Sequence, residues 1–151
     1  MGRSVRQAST VVLHGLAAKI RSMDALRRVV EHDPRLGYAV VFGSQARGAA
    51  HAGSDVDVAV GASGGRRLTS LELGEIASEL EAAAGRPVDI VDLESARPAL
   101  ADRVRDGRVI LERDRPRLVA RRARAILEYL DFKPIEDQFV RGVLAAPVRG
   151  R

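Results

Sequence analysis

The sequence GSQARG at residues 43–48, followed after six residues by DVD at residues 55–57, decides the fold of this 151-residue chain. A continuous apolar run at residues 38–42 comes before the first motif, and such a run is typical of a buried strand. Residues 55–60 alternate polar and apolar side chains, which is the period of a strand with one face in the core. The segment therefore predicts two strands joined by a loop rich in glycine and alanine.

The rest of the chain alternates helical and strand patterns. Apolar positions at helical spacing predict a first helix over residues 8–32, which Asp33-Pro34 ends. Thr69 and Glu72 form a capping box for a second helix, which Gly85 ends. The remaining elements are a strand over residues 87–93, a helix over 96–106 with Ser95 as its cap and Gly107 as its stop, a strand over 109–112, and a last helix that Asp114 caps and that ends near Lys133-Pro134. The order α-β-β-α-β-α-β-α predicts one compact α/β domain.

The composition limits the chemistry that the chain can perform. It contains no cysteine, which excludes a disulfide framework, a zinc–thiolate site and a thiol nucleophile. Its three histidines are scattered along the sequence, so a metal ion would rest mainly on oxygen ligands, which indicates Mg²⁺ or Mn²⁺. No apolar run approaches the roughly 20 residues of a membrane span. We therefore expect a cytoplasmic protein without membrane contact.

Basic residues outnumber acidic ones, and the formal net charge is +5. Almost all of the basic residues are arginines, which suit bidentate contacts with phosphate, although the base composition of coding DNA explains such a bias equally well. The arginines around the start of the last helix fit a solvated face or a surface for an acidic partner. No aromatic side chains are interleaved with them, so binding of single-stranded nucleic acid is not indicated.

The first motif has the residue types of a phosphate-binding turn. Gly43 can take a positive φ and allows a bound group to approach the backbone closely. Ser44 would open a turn or helix whose free N–H groups bind phosphate, with its hydroxyl as a further donor. Arg47 can contact a phosphate or form a structural ion pair, and the sequence leaves both open. A plain turn between a strand and a helix is the alternative interpretation of the whole motif.

Acidic residues on two predicted strands form the second candidate group. Asp55 and Asp57 are two residues apart on one strand, so both carboxylates leave the same face and can hold divalent ions. An exposed strand with outward acidic side chains is the alternative. A third acid is expected on the strand at residues 87–93. Asp89 is favoured over Asp92, because Asp92 lies near the strand end and on the opposite face.

In combination, these motifs resemble the signature of the polymerase-beta-like nucleotidyltransferase superfamily. The similarity covers roughly residues 38–139 and extends to the minimal nucleotidyltransferase (MNT) branch through four runs: GSQARG at 43–48, SDVDV at 54–58, RPVDIVD at 86–92 and YLDF at 129–132. The resemblance implies that family's α+β fold, a small mixed sheet of about four strands with helices packed on it. The predicted organisation is an N-terminal helix or extension (1–36), one minimal nucleotidyltransferase domain (37–144) and a tail (145–151).

The resemblance also implies a role for each motif residue. The phosphate-binding pair would be Gly43 and Ser44, and Arg47, which the sequence alone assigns to a phosphate contact or an ion pair, is the further candidate for nucleotide binding. The catalytic and metal-binding residues would be Asp55, Asp57 and Asp89. The substrate would be ATP and the metal ion Mg²⁺ or Mn²⁺.

Many MNT proteins act as antitoxins beside a HEPN-domain ribonuclease toxin and add AMP to a tyrosine of that toxin. The resemblance therefore implies an adenylyltransferase that forms a hetero-oligomer with such a toxin. Three alternatives stay open: transfer to a small-molecule acceptor, neutralisation of the toxin by binding alone, and transfer to an RNA end. The net charge permits the last of these, but no RNA-binding module supports it, and nucleic acid is not required.

Overall fold

The computed structural model describes residues 3–43 and 55–145, and their side chains except those of residues 3–14, 136 and 139–145. The elements follow the predicted order. They are α1 (Arg3–His32), β1 (Leu36–Phe42), β2 (Val56–Ala62), α2 (Ser70–Ala84), β3 (Val88–Asp92), α3 (Pro98–Val104), β4 (Arg108–Glu112) and α4 (Arg115–Ala145), with a short 3-10 turn, Ser63–Gly65, after β2. None of the helices in these ranges is long and apolar enough to cross a membrane.

The four strands form one mixed sheet in the order β3-β2-β1-β4. β1 runs antiparallel to both β2 and β4, whereas β2 and β3 run parallel. α2 connects the two parallel strands, which need such a crossover to begin at the same end of the sheet. The predicted class, a small mixed sheet of about four strands with helices packed on it, is confirmed.

Apolar side chains cover both faces of the sheet. Val56, Val58 and Val60 pack on one side against α1 and α2, together with Met23, Leu26, Val30, Ile76 and Leu80. Phe42 and Ala59 point the other way, toward α3 and α4, and pack with Tyr38, Val40, Ala101, Val104, Leu118 and Ala125. We refer to these sides as the α1/α2 face and the α3/α4 face. The second half of α1 thus shares the domain core, although the predicted boundary between residues 36 and 37 stays a prediction.

The ends of α2 are as the sequence predicts. The Thr69 hydroxyl oxygen accepts a hydrogen bond from the Glu72 backbone N–H, and the Glu72 carboxylate accepts one from the Thr69 N–H. Gly85 ends the helix with a left-handed φ of 68°. Because both ends are set by residues adjacent in sequence, the local pattern was sufficient to find them.

Two predicted helix ends are wrong. Ser95 does not cap α3, which begins at Pro98, and the Ser95 hydroxyl donates instead to the carbonyl oxygen of Asp92. α4 does not end near Lys133-Pro134 but continues to Ala145 with Pro134 inside it. Proline has a helical φ, but inside a helix it removes one backbone donor and its ring crowds the carbonyl four residues earlier. Since Leu130 and Pro134 are exposed, water can bind the carbonyl that loses its partner.

Arg113, directly after β4, holds the end of α1. Its guanidinium donates hydrogen bonds to the backbone carbonyls of Glu31, Asp33 (2.6 Å) and Leu36 (3.0 Å). These carbonyls lie at and just beyond the helix end, where intrahelical partners are lacking. Burial opposes ionisation of the Asp33 carboxyl, but hydrogen bonds from Arg35 outweigh burial and hold the pKa of Asp33 below its usual value. The segment between α1 and β1 is therefore fixed by arginines from both sides.

Candidate active site at the end of the sheet

Gly43 ends β1 and lies directly against the carboxylate of Asp57. Its φ is +69°, a conformation that residues with a side chain rarely adopt. A Cβ added at Gly43 would overlap the Oδ2 atom of Asp57. The close approach follows from strand pairing, because Phe42 and Asp57 stand opposite each other in the antiparallel register of β1 and β2. Glycine is thus required here both by backbone conformation and by the neighbouring carboxylate.

Asp57 and Asp89 are register partners on the two parallel strands. Neighbouring strands lie about 4.8 Å apart, and side chains of directly paired residues leave the same face. Asp57 is partly buried and Asp89 is exposed on β3, while Asp55 lies exposed just before β2. The sheet therefore brings the three predicted acids to the end at which β1 finishes and β2 and β3 begin.

Asp92 has a different environment. It is only 4% exposed, and its carboxylate accepts hydrogen bonds from the backbone N–H groups of Leu68 (3.2 Å) and Glu94 (3.1 Å). These bonds fix the chain before α2 and after β3. The strand alternation that separated the two candidates in the sequence places Asp92 on the opposite face from Asp89, in a structural position.

The donor chemistry of this end of the sheet fits a hard divalent cation. All three side chains offer carboxylate oxygens, which Mg²⁺ and Mn²⁺ prefer. Within residues 3–43 and 55–145, no three acidic or histidine side chains are arranged to enclose a metal ion by themselves. Mg²⁺ commonly uses one or two protein carboxylates and takes its other ligands from phosphates and water. Asp55, Asp57 and Asp89 therefore fit a site that a bound nucleotide completes.

Ser44 and Arg47, the other two predicted nucleotide-binding residues, lie outside the described residues. Of the first motif, the structure thus places Gly43 alone. A surface depression of about 560 Å³ exists elsewhere, lined by Arg28, His32 and Arg35 among others. It lies beside α1 and α2 and contains none of the three aspartates, so we do not assign the chemistry to it.

Arg103 is a basic side chain at this end of the sheet that sequence analysis did not single out. It lies near the C-terminal end of α3, and its guanidinium carbon is 5.9 Å from the centre of the Phe42 ring. This distance is within the range of a cation–π contact. No local sequence signal marks Arg103, because its position depends on the packing of α3 over β1.

The other end of the α3/α4 face is closed. Tyr38 is fully buried, and its hydroxyl donates a hydrogen bond to Glu94 (3.1 Å). Burial, followed by the nearby Glu94 charge, raises the pKa of Tyr38. The Arg121 guanidinium donates to the Leu93 carbonyl oxygen (2.8 Å) in the same layer. Polar groups at this end are thus engaged in internal contacts.

The chain matches a known protein family over most of the region just described. The family described as "Polymerase beta, Nucleotidyltransferase" matches residues 24–116. The chain belongs to this family. Its four-stranded mixed sheet with flanking helices is the fold of that family.

Individual relatives refine the comparison. The chain is 38% identical over 71 residues to the protein adenylyltransferase MntA of Shewanella oneidensis, an overlap that covers 47% of this chain and 50% of the relative. The chain thus spans about half the length of the curated relative it matches. The predicted resemblance to the MNT branch is confirmed.

Solved structures agree over a larger part of the chain. A toxin–antitoxin crystal structure with AMP-PNP has a TM-score of 0.69 and 26% identity, covering 82% of this chain and 98% of that one. A tri-AMPylated Shewanella oneidensis HEPN toxin in complex with an MNT antitoxin gives 0.67 and 22%, covering 84% and 99%. The second likeness shows the fold alone.

Proposed function

We propose that this protein is a cytoplasmic, Mg²⁺-dependent adenylyltransferase that transfers AMP from ATP to a tyrosine of a HEPN-domain toxin and thereby acts as its antitoxin. The observation that carries the proposal is the direct register pairing of Asp57 with Asp89 beside the left-handed Gly43. The identity of the acceptor is inferred from the names of the relatives. MntA is a protein adenylyltransferase, and a solved relative is an antitoxin bound to an AMPylated HEPN toxin.

In the proposed reaction, the tyrosine oxygen forms a bond to the α-phosphorus of ATP. The bond from the α-phosphorus to the oxygen bridging it to the β-phosphorus breaks, and pyrophosphate leaves with the electron pair. The hydroxyl proton passes to Asp89, whose exposed carboxylate is open to an acceptor from solvent. A divalent ion held by Asp55, Asp57 and Asp89 would neutralise charge on the phosphate oxygens.

The phosphate chain of ATP is assigned to the Gly43 end of β1. Gly43 takes a left-handed φ where β1 ends, and Ser44 and Arg47, which would bind phosphate, follow it in sequence. Positioning of this kind contributes much of the catalysis of phosphoryl transfer. The aspartates then lie next to the position assigned to the phosphates of ATP, as in-line transfer requires.

The test follows radiolabel from ATP into a HEPN-domain protein. The acceptor is the HEPN-domain product of a neighbouring reading frame, with the Shewanella oneidensis toxin as a reference. With Mg²⁺ we expect label from α-³²P-ATP, but not from γ-³²P-ATP, to appear on the acceptor. Asp89→Asn should lower the transfer rate by at least about a hundredfold, the scale of one lost proton-transfer group.

Asp92→Asn is the matched control, because it changes the same chemical group on the same strand. It should retain transfer and lower the free energy of unfolding by about 1–3 kcal/mol, because the amide offers a single acceptor oxygen where the carboxylate accepts from both the Leu68 and the Glu94 backbone N–H groups. An active Asp89→Asn together with an inactive, folded Asp92→Asn would overturn the assignment of the third acid. Toxin neutralisation without any label transfer would instead support the alternative of an antitoxin that acts by binding alone.

A further inference from the structure

We infer that Arg103 binds the triphosphate of the nucleotide from the α3 side of the site. The inference rests on the proposed function, because it assumes that ATP binds at the Gly43 end of the sheet. It assigns a binding residue that lies outside the GSQARG, DVD and RPVDIVD motifs.

The placement of Arg103 is the first argument. Its guanidinium lies over the ring of Phe42, which immediately precedes Gly43 and stands opposite Asp57. Phe42 itself is 2% exposed, so its buried ring forms a floor beneath the Arg103 guanidinium. A cation on this floor lies on the β1 side of Asp57, whereas Asp89 lies on the β3 side. Arg103 is therefore on the side of Gly43, where the phosphates are assigned, rather than on the side of Asp89.

The partners of Arg103 are the second argument. Arg105, two residues further on, forms ion pairs with Asp102 and Asp106. Arg103 has no carboxylate partner among the residues that the structure describes, and its side chain is exposed. A cation–π contact holds a guanidinium through its flat surface and leaves the N–H donors at its edge available. The side chain is thus positioned without being neutralised.

Charge balance indicates what those donors would bind. Asp55, Asp57 and Asp89 lie at this end of the sheet, and a triphosphate adds several further negative charges. A guanidinium presents a planar fork of donors that matches two phosphate oxygens. Because Arg103 stands on the Gly43 side, it would contact the β- and γ-phosphates, which leave together as pyrophosphate. A protein acceptor is the competing occupant, and the test separates the two.

The experiment compares binding of ATP and AMP by calorimetry in the presence of Mg²⁺. Arg103→Met keeps an apolar stem over Phe42 but removes the charge. It should weaken ATP binding by about tenfold to a hundredfold, the scale of one or two charge-assisted hydrogen bonds, and change AMP binding less than about threefold. Arg103→Lys should recover part of the loss. Arg97→Met is the control, because Arg97 is an exposed arginine at the opposite end of α3.

Each contrary result has a separate meaning. If the unchanged protein binds ATP and Arg103→Met binds it equally well, the inference is wrong while the proposed function stands. If Arg103→Met weakens ATP and AMP binding equally, Arg103 acts by packing on Phe42 and the inference is also wrong. If the unchanged protein fails to bind ATP at all, the proposed function fails, and the inference fails with it.

Discussion

At Gly43, two independent constraints act on one residue. The backbone takes a left-handed φ, and the space where a side chain would begin is occupied by the Asp57 carboxylate. Gly85 at the end of α2 has nearly the same φ, but a Cβ added there would meet nothing within 4 Å. The two glycines therefore separate the cost of the backbone conformation from the cost of crowding Asp57.

Gly43→Ala should destabilise the protein more than Gly85→Ala. For Gly85→Ala we expect a loss of about 1–2 kcal/mol in the free energy of unfolding, from the left-handed conformation alone. Gly43→Ala should exceed this value and also abolish AMP transfer, because Asp57 must move away from the new methyl group. Urea unfolding and the label-transfer assay measure both effects. Equal destabilisation by the two variants, with transfer retained, would show that the contact with Asp57 is unimportant.

That Asp89 and Asp92 lie on opposite faces was within reach of the sequence, because strand alternation fixes which residues share a face. The structure adds that the Asp92 carboxylate accepts two backbone hydrogen bonds, while the role of Asp89 as the third acid stays a prediction. Arg103 was out of reach, because its position depends on packing between α3 and β1, which are far apart in sequence. Sequence patterns can therefore nominate residues within one motif, but not a residue that tertiary packing brings beside them.

At the scale of elements, local chemistry was predicted well and long-range context was not. The capping box of α2 depends on Thr69 and Glu72 alone and is present as predicted. Serine is a residue type that often caps helices, but Ser95 lies in the turn after β3, where its hydroxyl donates a hydrogen bond to the Asp92 carbonyl oxygen. The length of α4 was underestimated, because Pro134 was taken as a stop although an exposed helix tolerates it.

The capping box should make α2 sensitive to acid. Hydrogen bonds from Arg66 and then from the Thr69 N–H lower the pKa of Glu72 to about 2 from a usual 4.5. A lowered pKa in the folded state adds stability above the unfolded value, and that stability is lost as the pH falls. The difference in unfolding free energy between the unchanged protein and Glu72→Gln should therefore be constant above about pH 4.5 and shrink toward pH 2.

Urea unfolding at several pH values between 7 and 2 measures this difference. Glu79→Gln is the control, because Glu79 is an exposed acid on the same helix outside the capping box. The difference in unfolding free energy between Glu79→Gln and the unchanged protein should not shrink in this way between about pH 4.5 and pH 2. A pH-independent difference for Glu72→Gln would mean that the carboxylate charge does not stabilise the helix start.

At the scale of the whole molecule, the sequence predicted the order of the elements that the structure describes, but not the order of the strands in the sheet. Each strand pattern shows which side chains are buried, but not which neighbour it pairs with. The central place of β1 between β2 and β4 depends on contacts between segments distant in sequence. The contact of Arg113 with the end of α1 also joins segments that are distant in sequence. It connects the chain after β4 to the chain after the first helix.

Arg113→Met should destabilise the whole domain rather than one helix. The change removes donors to three backbone carbonyls, and we expect a loss of about 2 kcal/mol in the free energy of unfolding. Arg115→Met is the control, because Arg115 is exposed and forms only a 3.9 Å ion pair with Glu112, so it should change stability by less than about 0.5 kcal/mol. Circular dichroism and thermal melting measure the loss, and similar values for the two variants would contradict the role assigned to Arg113.

The position of β3 at one end of the strand order has a consequence for solubility. A strand with one unpaired side can recruit strands from other molecules and start aggregation. Here the Glu81 carboxylate accepts the backbone N–H of Val88, and Asp89 adds an exposed negative charge near the start of the strand. An exposed charge on a strand at the edge of a sheet disfavours pairing with a strand of another copy, so we expect the Asp89 carboxylate to have this effect as well. Neutralising Asp89 removes that protection, so light scattering should accompany any activity measurement on Asp89→Asn.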